Sequence, residues 1–155
     1  QQAFLLAGGI ALVLVTLLLL ADLRSLRLSL LALAPLLLAG LMTLAHCALF
    51  GPSLNLANII AMPLLVGLGV AYDIYYVAAW ARGERHLLSS PLNRGVIFSA
   101  VTNAAAFGAL AVSPHPGTAS MGVLLFISLL YKLGCVMLVL PPLLAFFANG
   151  ARTRG

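Results

Sequence analysis

Charge is what this sequence has least of. Only 7% of its 155 residues are charged, against roughly 25% in an ordinary soluble domain, and 63% are hydrophobic. A chain so poor in charge has no means of making a wetted surface, which places it in a bilayer. The same scarcity argues against a nucleic-acid partner. The formal charge of +5 comes from isolated basic residues set between apolar blocks, and these read as topology signals. Cysteine is scarce too. Cys47 and Cys135 make neither a disulfide framework nor a metal spacing and read as small apolar packing residues. The opening "QQAFLL" has no basic n-region, and no small-residue cleavage site follows it, so the first apolar block is expected to be a membrane span and not a signal peptide. Its abrupt start points to a segment of a longer polypeptide. No nucleophile elbow, phosphate loop or metal motif is present. His46, His86 and His115 are not arranged as ligands and read as solvated or interfacial. No catalytic residue, metal ligand or cofactor is therefore assigned.

What is present is long apolar sequence. A helical span needs about 20 such residues, and five candidates fit: residues 3–21, 28–49, 56–80, 96–112 and 119–147. The runs are uniformly apolar over about twenty residues, where barrel strands would alternate over about ten. The expected fold is all-α, a polytopic bundle of five transmembrane helices forming one module over 1–155. "FGPSLN" (50–55) and "SPHPGT" (113–118) read as turns, "RGERHLLSSPLNR" (82–94) as a polar connector, and Pro141 and Pro142 as a kink near the end of the fifth span. Arg24, Arg27, Arg82, Arg85, Arg94, Arg152 and Arg154 all fall at alternate connections or after the last span, and the two turns have no Lys or Arg. The positive-inside rule then puts the N-terminus outside and the C-terminus in the cytoplasm.

Two ionisable residues fall within spans. The run from Leu28 to Tyr72 has no charge, and then "GLGVAYDIYYVAAW" (67–80) introduces Asp73. Lys132 sits in the fifth span. Each costs about 2.5–3.5 kcal/mol at a helix centre. Their spans run in the same direction, and the lysine stem is long enough to cover much of their offset in depth. Three readings stay open: a static ion pair that fixes packing, a proton-relay carboxylate tuned by burial and by Lys132, and Asp73 snorkelling to the cytoplasmic interface. Tyr76 follows Asp73 by three residues on the same helical face. Thr102 and Asn103 lie at a matching depth in the fourth span, either bonding the carboxylate or, for Thr102, back-bonding to its own helix. Gly69 offers another helix a close approach. Gly67 and Ala71, facing Ala100, Ala104 and Gly108, would let the third and fourth spans pack tightly.

These residues also carry a resemblance. "GLGVAYDIYYVAAW" resembles the Gly-x-Gly-x-Asp-Tyr helix of the RND superfamily in its MMPL-like branch. "SAVTNAAAFGALAVSPHPGTASMGVLLFISLL" (99–130) is similar to the helix pair that follows it there, and "LVLPPLLAF" (138–146) to the terminal proline-containing segment. The "HPGTASMG" run resembles the hopanoid-biosynthesis-associated RND transporters, the HpnN type. The likeness is strong over spans 3 to 5 and generic over the first two. It implies half of an RND transmembrane domain, with a periplasmic domain and a first half lying elsewhere in the protein.

The resemblance further implies a multi-pass protein of the bacterial inner membrane, N-terminus periplasmic. Protons would be its coupling ion, and it would move hopanoid or related lipids toward the outer membrane. Membrane lipids, the other half, the periplasmic domains and further copies of the protein would be its partners. Asp73 and Lys132 would form the proton relay, supported by Tyr76, Thr102 and Asn103. One departure stands out. The family aspartate directly follows Gly-x-Gly-x, where this chain has Ala71. Asp73 comes two residues later, a rotation of about 200°, which leaves open that the main relay carboxylates lie in the other half. Two other classes share the helix plan: a sterol-sensing-like module that binds lipid as a regulator, and an accessory module of protein secretion.

Overall fold

A computed structural model describes residues 2–23, 25–50 and 56–148. Five long helices account for most of them: α1 Gln2–Leu23, α2 Leu26–Phe50, α3 Leu56–Ala81, α4 Pro91–Ala111 and α5 Pro116–Leu138. A one-turn 3-10 helix, Leu87–Ser89, precedes α4, and a short α6, Leu140–Leu143, and a wide π-type turn, Leu144–Ala148, follow α5. No strand occurs among the described residues. By length and apolar composition, 26–50, 63–81, 91–111 and 116–147 can each cross a bilayer, while the apolar stretch of α1, 9–21, is shorter. The fold is the expected all-α membrane bundle. The Gly51–Pro52 turn and the orientation residues Arg24, Arg152 and Arg154 lie outside the described residues. Arg27, Arg82, Arg85 and Arg94 are exposed where α2 begins, α3 ends and α4 begins.

Helix ends follow local chemistry. Ser90 caps α4 by accepting from the Asn93 amide at 3.3 Å, and Pro91 takes the first helical position, where its missing N–H costs nothing. The fourth helix thus starts at Pro91, five residues before the expected 96, because Ser-Pro is a start signal hidden inside a polar connector. At the end of α3 the Gly83 amide bonds the Trp80 carbonyl and the Glu84 amide bonds that of Ala79. This is a Schellman closure, and it needs the positive φ of Gly83, +96°. Arg85 then lies over the Trp80 ring, 4.1 Å from its centroid, a cation–π contact at the helix end. The fifth span does not run unbroken to 147. α5 stops at Leu138, ahead of Pro141 and Pro142, whose missing amides interrupt the hydrogen-bond ladder.

α3 and α5 lie at the centre. α3 packs on α1, α2 and α5, and α5 packs on α2, α3 and α4. Large apolar side chains such as Leu14, Leu41, Phe98, Val101 and Leu138 are exposed on the outer faces, as lipid-facing positions are. The expected tight packing of α3 on α4 is not found: α4 packs chiefly on α5. Gly67 is exposed with open space around it, and a Cβ at Gly108 would stand 3.7 Å from the Phe126 ring of α5. The closest approach belongs to Gly122 of α5, where a Cβ would stand 2.5 Å from the Ala111 amide nitrogen and 2.8 Å from the Phe107 carbonyl oxygen. The short connection between α4 and α5 forces this nearness, and only a residue without a side chain permits it.

Gly122→Ala therefore pushes backbone against backbone. It is expected to destabilise the bundle by about 1–3 kcal/mol, read as a lower melting temperature in detergent. Gly134→Ala, with nothing within 4 Å of the added carbon, is the neutral control.

Candidate functional site

Asp73 and Lys132 meet at the centre of the bundle. Nζ of Lys132 stands 2.5 Å from Oδ2 of Asp73, with the two side chains 1% and 0% exposed. Asp73 does not snorkel to the interface. The lysine reaches the carboxylate over a notch. A Cβ at Gly69, one turn before Asp73, would lie 3.2 Å from Cε of Lys132 and 3.0 Å from Cδ1 of Leu36. Gly69 thus makes room for the stem of a lysine on α5 to lie across α3, with α2 closing over it. The opposite charge and the hydrogen bond offset the loss of water around both groups. The second carboxylate oxygen, Oδ1, is buried and has no hydrogen-bond partner among the described residues.

The polar residues expected around the carboxylate point elsewhere. Thr102 is exposed and donates to the Phe98 carbonyl at 2.8 Å. On an outer face of α4 its hydroxyl has only its own helix to bond. Asn103 donates from Nδ2 to the Tyr72 hydroxyl at 3.1 Å, so it reaches the neighbour of Asp73 and not Asp73 itself. Tyr76, fully buried, donates to Oδ1 of Asn93, whose Nδ2 donates to the Leu88 carbonyl at 2.7 Å. Tyr76 thereby ties α3 to the first turn of α4. Ala71 is half-buried, while Ala100 and Ala104 are buried.

Several members of this network were not anticipated. Asn93 reads as part of a polar connector, although Ser90-Pro91 signals that a helix has already begun there. Ser128, four residues before Lys132 on the same face of α5, is fully buried, and its hydroxyl has no hydrogen-bond partner among the described residues. His46 is half-buried and shares a 3.0 Å hydrogen bond with the Tyr131 hydroxyl, and its ring packs 5.5 Å from that of Phe50. One turn along, Cys135 contacts the sulfur of Met42 at 3.9 Å. Among the described residues no group of His, Cys, Asp and Glu is placed to hold a metal ion.

Removing one member of a buried pair leaves the other uncompensated. Lys132→Met is expected to cost about 3–5 kcal/mol, and the double substitution Asp73→Leu with Lys132→Met to recover most of it. Folded yield and melting temperature in detergent measure both. A double variant no more stable than the single would show that the loss does not come from an uncompensated buried charge.

No protein-family model matches the chain. It is 52% identical over 142 residues to the protein named hopanoid transporter HpnN of Rhodopseudomonas palustris, and 49% identical over 128 residues to the protein of the same name from Burkholderia multivorans. These alignments take in 92% and 83% of this chain but 16% and 15% of the relatives. The chain thus spans a small part of the length of the curated relatives it matches. Identity of this order over nearly the whole chain is common descent, and the chain belongs to the HpnN-type family of the RND superfamily.

Proposed function

We propose that this chain is the proton-coupling transmembrane module of an RND-type transporter that carries hopanoid or related lipids from the inner membrane toward the outer membrane. One observation carries the reading: a fully buried Asp73–Lys132 pair joins the two central helices, in a chain about half identical to proteins named hopanoid transporters. An ionisable group in the bilayer costs too much to be kept as filler and marks ion or proton pathways. The carboxylate takes up a proton and becomes neutral, and the ammonium of Lys132 loses its counter-charge. The attraction between α3 and α5 then falls, which lets the helices shift on each other. Periplasmic domains elsewhere in the protein pass that shift to the lipid.

The same reading places the module in a bacterial inner membrane. The N-terminus is periplasmic and the C-terminus cytoplasmic, a reading supported by the fall of the basic residues at alternate connections along the sequence. The other half of the transporter and its periplasmic domains are its partners within one polypeptide, and further copies assemble beside it.

In the complete transporter, reconstituted in vesicles with an imposed proton gradient, Asp73→Asn is expected to slow lipid transfer by about 100-fold or more, the scale of a lost proton-transfer group. Unchanged transfer at equal protein level sinks the proposal. The double substitution Asp73→Leu with Lys132→Met regains stability and stays inactive, whereas a merely structural pair would regain transport as well. Collapsing the gradient with a protonophore stops transfer by a transporter and leaves lipid binding by a sterol-sensing-like module untouched.

A further inference from the structure

A single stretch of α3, Tyr72 to Tyr76, reaches both α4 and α5. Asp73 meets Lys132 of α5. The two tyrosines go instead to α4. The Tyr72 hydroxyl accepts from Nδ2 of Asn103 at 3.1 Å, and the Tyr76 hydroxyl donates to Oδ1 of Asn93. Tyr72, Tyr76 and Asn93 are buried. Asn93 is itself fixed, since its Nδ2 donates to the Leu88 carbonyl at 2.7 Å and its backbone amide to Ser90 Oγ at 3.3 Å. Positions 93 and 103 are ten residues apart on α4, roughly 15 Å along its axis. The two tyrosine–asparagine bonds therefore define a line along α4, and the ion pair lies off that line, on α5.

The junctions differ in kind. α4 and α5 meet backbone to backbone at Gly122, where an added Cβ would stand 2.5 Å from the Ala111 amide nitrogen. Close-packed seams of this sort do not deform continuously. α3 and α4 share little packed surface and are joined by side-chain bonds, about which a helix can turn. The junctions also differ in charge. A hydroxyl bonded to an amide stays neutral when Asp73 takes a proton, so both tyrosine bonds outlast the loss of the ion pair.

We infer that Tyr72 and Tyr76, with Asn103 and Asn93, are positioning residues that form a hinge on which α3 turns along α4, and that the Asp73–Lys132 pair is the catch holding α3 against α5. This inference rests on the proton-coupling reading above. With the carboxylate ionised, α3 is held by both neighbours. With the carboxylate neutral, α3 is released by α5 alone and swings about the line of the two tyrosine bonds, while α4 stays seated on α5. The hinge thus gives the released helix a direction, which loss of the ion pair does not supply by itself. Neither hydroxyl bonds the carboxylate, so the tyrosines act on the motion and not on the proton.

The test measures distances by dipolar electron paramagnetic resonance in the full-length transporter in lipid nanodiscs, otherwise free of cysteine. Spin labels are placed through Tyr75→Cys on α3, Phe98→Cys on α4 and Leu130→Cys on α5, three exposed positions. Asp73→Asn is expected to lengthen the 75–130 distance by about 2–5 Å, the range of helix shifts, and to leave the 75–98 distance unchanged. Asp73→Leu with Lys132→Met, which removes both charges, gives the same pattern and serves where the single variant does not fold. Tyr76→Phe keeps the ring and loses the hydroxyl. It is expected to broaden the 75–98 distance and to lower lipid transfer about tenfold, the worth of one buried hydrogen bond, while proton entry through the protein continues. Protons taken up per lipid transferred therefore rise, whereas a merely structural loss lowers both together. Two distances that change equally, or neither changing, overturn the hinge even where Asp73→Asn abolishes transfer and the coupling role stands. So does a Tyr76→Phe protein with the parent's ratio of protons to lipid. Transfer that survives Asp73→Asn removes the coupling role, and the hinge falls with it.

Discussion

The buried contact between Asp73 and Lys132 is the constraint around which the bundle is arranged. Apolar helices in lipid gain nothing by hiding apolar surface from one another, because the lipid is as apolar as they are. What holds them is close fit and the few polar contacts that have nowhere else to go. A carboxylate and an ammonium with their side chains 0% and 1% exposed have no alternative to each other. The two helices that carry them are the two most extensively packed against the rest of the bundle. Gly69 follows from this requirement, since a lysine stem crossing α3 needs a position without a side chain. Leu36 of α2 closes the notch from above, so three helices meet at one ion pair.

Away from the pair, each helix is placed by a different device. α4 is fixed to α5 by the backbone approach at Gly122 and to α3 through Tyr76, Asn93 and the Leu88 carbonyl. α2 is fixed to α5 by a seam of single contacts, His46 with Tyr131 and Met42 with Cys135. The hydroxyls of Thr16, Thr43 and Thr102 close on carbonyls of their own helices. Back-bonding of this kind is how isolated hydroxyls are satisfied in apolar surroundings, and it leaves them no part in joining helices. Against that background Ser128 and Asp73 Oδ1 stand apart: both are fully buried, and among the described residues they lack the partner that the threonines find within one turn.

The legible parts of the sequence were those set by cost. Charges are so rare in the apolar runs that Asp73 and Lys132 mark themselves, and burial compels them to pair. Helix number and class follow from run length alone. Facing was not legible for most other residues. In a soluble helix, alternation of polar and apolar positions tells inside from outside. In a span such as α4, where Thr102 faces outward and Asn103 inward, valine and alanine surround both, and neither pattern nor depth separates them. Gly67 and Gly69 both lie in the stretch Val-Gly-Leu-Gly-Val with mirror-image flanks, and only the position of Lys132, sixty-three residues beyond Gly69, decides which of them is a notch. The break after Leu138 and the early start at Pro91 were both written in prolines. A proline in the first turn and a proline pair late in a run have opposite meanings, and distance from the nearest capping residue tells them apart.

The departure from the family pattern at Ala71 can now be read physically. A carboxylate at position 71 would be turned by about 200° from that at 73, away from the direction in which Gly69 and Asp73 together receive Lys132. Ala71 is half-buried, so a charge there would also lack the full enclosure that Asp73 has. The shift of two residues therefore moves the charge from a face open to some other neighbour to the face shared with α5. With the carboxylate facing Lys132, a change in its charge acts directly on the contact between α3 and α5. Since α5 also carries α4 through Gly122 and α2 through Tyr131, a movement of α5 is felt by three helices at once. A carboxylate at 71 would have changed its charge without altering the contact that the bundle depends on.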